Sequence, residues 1–369
     1  MGAFCMSNFK KLTAIFLAVL MTAFLTGCGG DSGEQKKSNG KTIGVAMPSQ
    51  SSIRWYKDGE NLKKTLEAQG YQVDLQYTKD TYQTQVDQIQ KMIDDNVSCL
   101  VIGAFDSTKL VDILAKAYEK KIPIISYDRL IMDTDSISYY VTFDNKDVGV
   151  QIGKYIEEKL ELKSGKGPYN IEFFAGSPTD NNARVLNAGL FEVLQPYIDS
   201  GQLVVPSGKV QFDDIAIKGW SRPDAKARMA EILKTYYADG KKLDAVIAPS
   251  DGFSYVIIEA LEEAGYSVGN NWPIITGDDG ELRAARNIID GKMAMTVFKD
   301  TRVLVEKCAT MVDAVMNGNE PEINDVNSYN NRKLTVPAYL CKPETIDASN
   351  VQEKIIDGGY YSKEELEAK

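Results

Sequence analysis

Residues 99–129 read CLVIGAFDSTKLVDILAKAYEKKIPIISYDR, and this stretch decides the fold class. An apolar strand, CLVIGAF, is followed by a helical stretch and then by a second apolar strand, which ends in Asp128 and Arg129. Two strands that are joined by a helix over short loops form a βαβ unit with parallel strands. Because both strands are apolar throughout, we expect them to be buried on both faces of a parallel sheet.

The same order of elements returns in residues 244–279, DAVIAPSDGFSYVIIEALEEAGYSVGNNWPIITGDD. Each copy has an acidic residue in the loop after its first strand, Asp106 or Asp251, and another at the end of its second strand, Asp128 or Asp279. Strands and helices alternate through most of the remaining chain, so we predict an α/β protein of two lobes, each built on a parallel sheet. Ligands bind at the carboxyl ends of strands in such sheets. We therefore expect the lobes to face each other across a cleft.

The composition excludes several classes of function. The chain has 369 residues, a formal net charge of −10 and no basic stripe, which argues against a nucleic-acid partner. It has no histidine, which removes Ser-His-Asp and Cys-His catalysis and histidine metal sites. No GxxxxGKS/T or GxGxxG loop follows a strand, which disfavours nucleotide-dependent enzymes of those kinds. We expect neither a metal nor a cofactor. The cysteines of the folded part are irregularly spaced and should pack in the core: Cys99, Cys308 and Cys341.

The N-terminus has the pattern of an export signal. Lys10 and Lys11 precede a brief apolar stretch that ends in LTGC, which is typical of a signal peptide and not of a membrane span. The ending is similar to the lipobox of bacterial lipoproteins, which implies a signal peptide over 1–27 and lipidation of Cys28. The alternative is an ordinary signal peptide with a cysteine at this place by chance. Residues 28–40 are rich in Gly, Ser and Lys, and we interpret them as a flexible tether.

Polar planar side chains and tryptophans gather at the predicted strand ends, and this mixture suits a sugar. Each sugar hydroxyl both donates and accepts, so Asp and Asn can accept while Arg, Asn and Lys donate. An indole ring can lie against the apolar face of a pyranose. Taken singly, these residues have ordinary alternatives, such as helix caps, turns, surface ion pairs or core packing. The candidates are Arg54, Trp55, Asp128, Arg129, Asp180, Asn182, Trp220, Asp251, Asp279 and Lys299.

From about Lys41 to its end, the chain resembles the type I periplasmic sugar-binding proteins of ABC transporters, in particular the multiple-monosaccharide-binding and D-xylose-binding branch. The motifs that carry the resemblance include RWYKDGENL, SYDRLI, AGSPTDNNA, ITGDDGE, FKDTR and VPAYLCKP. The resemblance implies two Rossmann-like lobes, residues 41–143 with 301–334 and residues 144–300 with 335–369. It also implies a hinge of three crossing segments, near Phe143–Asp144, Lys299–Asp300 and Leu334–Ala338.

The resemblance further implies a role for most of the candidates. Trp55 and Trp220 would be opposing stacking rings, and the hydroxyl-binding groups would be Arg54, Asp128, Arg129, Asp180, Asn182, Asp279 and Lys299. Two departures leave the preferred sugar open. The D-xylose-binding pattern has Asn-Asp where this chain has Ser250-Asp251, and it has Gln where this chain has Asp278. Asp251 could substitute for the lost amide.

The function that the resemblance implies is that of a lipid-anchored, extracytoplasmic capture protein. It would be a monomer, would bind a monosaccharide of the glucose, galactose, xylose or arabinose type, and would deliver it to the membrane subunits of an ABC permease. A glycosidase that uses Asp128 and Asp279 is the rival class, but Arg129 and Lys299 beside them would hold both acids ionised. A nucleoside could take the place of the sugar as ligand, and the protein could also serve chemotaxis or sensing. A repressor domain is disfavoured by the export signal.

Overall fold

The computed structural model describes residues 40–49, 53–79 and 81–368. The signal peptide predicted for 1–27, Cys28 and nearly all of the predicted tether lie outside the described residues. None of the helices within these ranges is both long and apolar enough to cross a membrane.

The first lobe is built on six strands, β1 (Thr42–Met47), β2 (Gln72–Tyr77), β3 (Cys99–Ile102), β4 (Ile124–Tyr127), β5 (Tyr139–Phe143) and β12 (Ala338–Cys341). Their order is β12-β5-β4-β3-β1-β2, and every neighbouring pair is parallel. Helices α1 (Ile53–Ala68) and α10 (Thr301–Met316) cover one face, and α2 (Tyr82–Asp94) and α3 (Val111–Glu119) cover the other. Alternate residues of β1 enter opposite cores, Val45 on the α1 side and Ala46 on the α2 side.

The second lobe has the strands β6 (Tyr169–Phe173), β7 (Leu203–Val204), β8 (Ala245–Ile247), β9 (Ile274–Ile275), β10 (Asp278–Asp279), β11 (Met295–Phe298) and β13 (Glu344–Asp347). The order β7-β6-β8-β9 is parallel, as is the pair β10-β11, and only β13 runs antiparallel to its neighbour β11. The Ala294 amide bonds to the Ile275 carbonyl at 2.9 Å and joins the two groups of strands. The prediction of an α/β protein with two lobes on parallel sheets is confirmed.

The helices of the second lobe are α4 (Asn145–Lys159), α5 (Asn181–Asp199), α6 (Phe212–Ile215), α7 (Arg222–Tyr236), α8 (Asp251–Glu263), α9 (Leu282–Ile289) and α11 (Lys363–Glu367). Short 3₁₀ turns cover Leu162–Ser164 and Lys218–Trp220, and a π-helical turn covers Gln352–Asp357. Helices α4 and α5 pack on one face of the sheet, and α7, α8 and α9 pack on the other.

Glycines allow α4 and α5 to pack with their backbones in contact. A Cβ on Gly149 would stand 1.9 Å from the carbonyl oxygen of Leu186, and a Cβ on Gly189 would stand 2.1 Å from that of Lys146. No larger residue fits at either place without moving a helix. This contact fixes the position of α5, whose first residues face the other lobe.

The chain passes between the lobes three times. The first two passages lie between β5 and α4 and between β11 and α10. The third was predicted near Leu334–Ala338, and this is wrong. Residues 338–341 form β12, which pairs with β5 of the first lobe, so the passage lies at Lys342–Pro343, before β13. We therefore propose that the first lobe extends to residue 341, beyond the predicted boundary at 334.

Candidate ligand-binding site

A cavity of about 190 Å³ lies between the lobes, where strand ends of both sheets meet. The first lobe contributes Arg54, Trp55, Asp128 and Arg129 to its walls, and the second lobe contributes Asp180, Asn182, Trp220, Asp279 and Lys299. All the sequence candidates except Asp251 therefore line one space. Sites for drug-sized ligands occupy about 300–1,000 Å³, so this cavity suits a smaller molecule, of the size of one sugar ring.

Asp128 stands at the end of β4 in an unusual backbone conformation. Its φ of 61° lies in the left-handed region, which a residue with a Cβ adopts at a cost. Donors from both lobes hold its carbonyl oxygen in place, the Thr142 hydroxyl and the Asn182 side-chain amide, each at 2.8 Å. The carboxylate is paired with the guanidinium of Arg54. The strained residue therefore places a fixed hydrogen-bond acceptor at the cavity wall.

Arg129, the next residue, crosses the cleft. Its Nε lies 3.1 Å from the Asp180 carboxylate of the second lobe, and its Nη1 donates to the Ala104 carbonyl at 3.1 Å. Its guanidinium also lies over the Trp55 ring, 5.3 Å from the ring centre. The adjacent charges of Asp128 and Arg129 thus have separate partners, and each is compensated at the end of a buried strand.

Asp180 combines the role of a helix cap with a place in the cavity. One oxygen accepts from the Asn182 amide at 3.0 Å and caps α5. The other accepts from the Trp220 indole at 3.2 Å. Trp220 also has a positive φ, 55°, and its ring fits only because residue 176 is glycine: a Cβ there would stand 2.1 Å from the ring. Cap and indole together set one wall of the cavity.

Lys299 is buried and lies between two carboxylates that follow each other on β10. Its Nζ is 2.5 Å from Asp278 and 3.8 Å from Asp279. Burial raises the pKa of the Asp278 carboxyl above the usual value, against the opposing effect of the Lys299 ammonium. Burial also disfavours the charged ammonium of Lys299, yet the two carboxylates raise its pKa above the usual value. The second lobe thus presents a dense cluster of charge to the cavity.

Asp279 connects this cluster with the first lobe. Arg54 Nη1 lies 3.4 Å from the Asp279 carboxylate, in addition to its pair with Asp128. The φ of Asp279 is 108°, which is a second strained acid at a strand end. Two ion pairs therefore cross the cleft, Arg54–Asp279 and Arg129–Asp180.

The candidate Asp251 is not a wall residue, and this prediction is wrong. Its side chain is fully buried, and its two oxygens accept from the Thr296 hydroxyl at 2.7 Å and the Glu281 amide at 2.8 Å. Burial raises the pKa of its carboxyl well above the usual value. The residue before it, Ser250, lines the cavity and caps α8.

The cavity wall also includes residues that had no role in the sequence analysis or only a doubtful one, among them Asn145, Arg222, Phe253 and Asp278. Arg222 lies across Gly252, where a Cβ would stand 2.8 Å from its Nε. The Phe253 ring packs 5.6 Å from that of Trp220. The SRPD motif around Arg222 indicates only the start of a helix. The contact between Arg222 and Gly252 cannot be recognised from the sequence around either residue. No group of acids or cysteines within the described residues is arranged to hold a metal.

Two α/β lobes that close on a polar cavity define the class of two-lobed solute-binding proteins. The model of the periplasmic binding protein domain matches residues 43–320, and the chain belongs to this family, as its motifs predicted. The family is extracytoplasmic.

Individual relatives within this family are proteins that bind sugars. The chain is 44% identical over 359 residues to the multiple sugar-binding periplasmic protein SbpA of Azospirillum brasilense, covering 97% of this chain and 99% of that one. It is 31% identical over 356 residues to the D-xylose-binding periplasmic protein of Escherichia coli, covering 96% and 100%. A solved ABC transporter solute-binding protein from Clostridium phytofermentans with bound β-D-glucose is 48% identical, with a TM-score of 0.85, covering 89% of this chain and 100% of that one. These relatives are binding proteins, which confirms that the chain is not an enzyme.

Proposed function

We propose that this protein captures a monosaccharide of the glucose, galactose, xylose or arabinose type in the interlobe cavity and delivers it to the membrane subunits of an ABC permease. No bond in the sugar is made or broken. The observation that carries the proposal is the convergence of charged side chains from both lobes, together with two indole rings, on a cavity of one-ring size. The sugar-binding relatives and the glucose-bound structure support the same ligand class.

In this proposal the sugar inserts its hydroxyls among side chains that are already paired with each other. A hydroxyl between Arg54 and Asp279 would accept from the first and donate to the second, and one between Arg129 and Asp180 would do the same. Asp128, Asn182 and Lys299 would bind the remaining hydroxyls, and Trp55 and Trp220 would lie against the ring. A ligand without a matching hydroxyl would leave buried polar groups unpaired, which is the source of selectivity.

Binding would also drive closure of the lobes. The partners of two ion pairs belong to different lobes, so these contacts exist only when the lobes are together. A sugar that bridges both lobes has more contacts in the closed form than in the open one, and therefore shifts the population toward it. The closed form would be the one that docks on the permease.

We further propose that the mature protein is a monomer anchored by a lipid on Cys28. The segment from 28 to 40 would connect the anchor to the lobes.

A thermal-shift screen tests the proposal. The protein from Lys41 onward is melted with D-glucose, D-galactose, D-xylose, L-arabinose, several nucleosides and buffer alone. A ligand at about 100 times its Kd stabilises the folded state by about 2.7 kcal/mol, which raises Tm by several degrees. We expect such a shift with at least one monosaccharide and its loss in Asp128→Ala and Arg129→Ala. A shift with nucleosides alone, or with nothing, would reject the proposed ligand.

A further inference from the structure

A second chamber of about 450 Å³ adjoins the monosaccharide cavity. Arg54, Arg222 and Asp279 line both spaces. The remaining walls of the second chamber come from α1, α8, α9 with the preceding Glu281, the start of α10 and the C-terminal segment. The two spaces therefore share three wall residues.

The contacts that Arg54 and Arg222 make with carboxylates at the boundary of the two spaces are long. Arg54 and Asp279 are 3.4 Å apart, which is longer than the 2.7–2.9 Å or so of a good charge-assisted hydrogen bond. Arg222 Nη2 reaches Glu281 only at 4.0 Å, and its side chain is half exposed. A linking oxygen between two sugar rings could pass between these groups, with hydroxyls on either side bonded to the guanidinium and the carboxylate. A ligand could thus extend from one space into the other by passing between these side chains.

The second chamber has aromatic walls. Tyr360 and Tyr361 pack edge to face with ring centres 4.8 Å apart, and Lys57 lies over the Tyr361 ring at 5.1 Å. Tyr255 is also a wall residue, and its hydroxyl is buried near the Glu281 carboxylate. Phenol rings with donors and acceptors between them form the combination that stacks on and hydrogen-bonds a sugar ring.

We propose that the protein also captures disaccharides, with one ring in the monosaccharide cavity and the second ring against the tyrosines of the second chamber. The inference rests on the proposed function, because the first ring uses the same site. The second space is more than twice as large as the first, so it can hold a full ring together with water. A protein with the first cavity alone would have to open its lobes to admit such a ligand and would lose the contacts between them.

The test compares matched sugars by isothermal titration calorimetry on the protein from Lys41 onward. The pairs are D-glucose with cellobiose, D-galactose with lactose, and D-xylose with xylobiose, so each disaccharide contains the monosaccharide as its non-reducing ring. We expect at least one disaccharide to bind within about tenfold of its monosaccharide. Leu282→Trp fills the second chamber without touching the first, since Leu282 lines only the second. It should weaken the disaccharide at least tenfold and leave the monosaccharide within twofold.

Tyr361→Ala is a second variant, which removes a ring without adding bulk. It should weaken the disaccharide by roughly 2- to 12-fold, since an aromatic contact contributes about 0.5–1.5 kcal/mol beyond its area. Tyr118→Ala is the matched control, because Tyr118 is 63% exposed on α3 and lies outside both spaces. Binding of a monosaccharide with every disaccharide more than 100-fold weaker would overturn the inference and leave the proposed function standing. An equal loss of both sugars in the Leu282 and Tyr361 variants would also overturn it. Failure of every sugar to bind would overturn both.

Discussion

Asp180→Asn removes one negative charge from the contact between the lobes and keeps the shape of the side chain. In the wild type, one oxygen of Asp180 caps α5 by accepting from the Asn182 amide at 3.0 Å. The other oxygen pairs with Arg129 at 3.1 Å and accepts from the Trp220 indole at 3.2 Å. Asparagine caps a helix as well as aspartate does, so the helix should keep its start. With the amide oxygen on the cap, the amide nitrogen faces the Arg129 guanidinium and the Trp220 indole, so the variant loses both the charge and the acceptor for these two donors.

The size of the effect follows from what Arg129 retains. A hydrogen bond to a charged group contributes about 1.5–3 kcal/mol. Arg129 keeps the carbonyls of Ala104 and Phe105, at 3.1 and 3.4 Å, and its side chain is 19% exposed, so it is not left without any partner. Because the lost contact joins the lobes, its free energy is subtracted from the closed, liganded form. Sugar affinity should therefore fall by roughly 10- to 150-fold.

Calorimetric titration with the monosaccharide from the thermal-shift screen measures this loss. The control is Asp213→Asn, which removes an acid of the same lobe that pairs with Arg184 at 3.3 Å but is 82% exposed. An exposed pair contributes little, so the control should bind within about twofold of the wild type. An Asp180→Asn variant that binds as tightly as the control would refute the reasoning. A fall in unliganded Tm that accounts for the whole effect would refute it too, and would assign the residue to the helix cap.

Substitutions at three positions test separately the backbone strain at Asp128, the packing of Trp220 and the titration of Asp58. Asp128→Gly and Asp128→Ala should both lose sugar binding, because both remove the carboxylate that pairs with Arg54. Thermal melts should show the glycine variant to be more stable than the alanine variant by about 1–2 kcal/mol, since a φ of 61° is costly only for a residue with a Cβ. Gly176→Ala should weaken binding more than tenfold in calorimetry, because the new Cβ displaces the Trp220 ring; unchanged affinity would contradict this. Burial raises the pKa of the Asp58 carboxyl to about 6, so the stability that its protonated form contributes is complete below about pH 4 and is lost as pH rises through 6. The free energy of unfolding, measured by urea melts, should therefore fall between pH 4 and pH 7 by about 3 kcal/mol less in Asp58→Asn than in the wild type.

The internal repeat in the sequence predicted the site because strand ends are a local signal. In both copies, the acid that directly ends the second strand lines the cavity with a positive φ, 61° at Asp128 and 108° at Asp279. The acid in the loop after the first strand does not. Asp106 accepts from the Thr108 amide and hydroxyl, and Asp251 is buried under Thr296 and Glu281. Sequence alone could not separate the two kinds of acid, because their partners are set by loop geometry and by distant residues.

Other features depend on contacts between segments far apart in the sequence. Strand β12 has only four residues, and its neighbour in the sheet of the first lobe is β5, nearly 200 residues earlier. Arg222 has its place because residue 252 is a glycine on another helix. Contacts between residues so far apart in the sequence cannot be predicted from apolar periodicity or from the position of charged residues. Motif resemblance could locate the crossings only near the quoted residues, and strand pairing was needed to place the third.

The pattern of ion pairs explains how a strongly charged cavity can bind a neutral sugar. Charges without partners would hold water tightly, and the ligand would have to remove it. Here Arg54, Arg129 and Lys299 each already have a carboxylate partner, so hydroxyls can join existing pairs instead of replacing full hydration shells. The Lys299–Asp278 pair lies within one lobe and stabilises that lobe in any state. The pairs of Arg54 with Asp279 and of Arg129 with Asp180 form only when the lobes meet. In the proposed function, charge within a lobe would hold the side chains of the site in place, and charge between the lobes would couple ligand binding to closure.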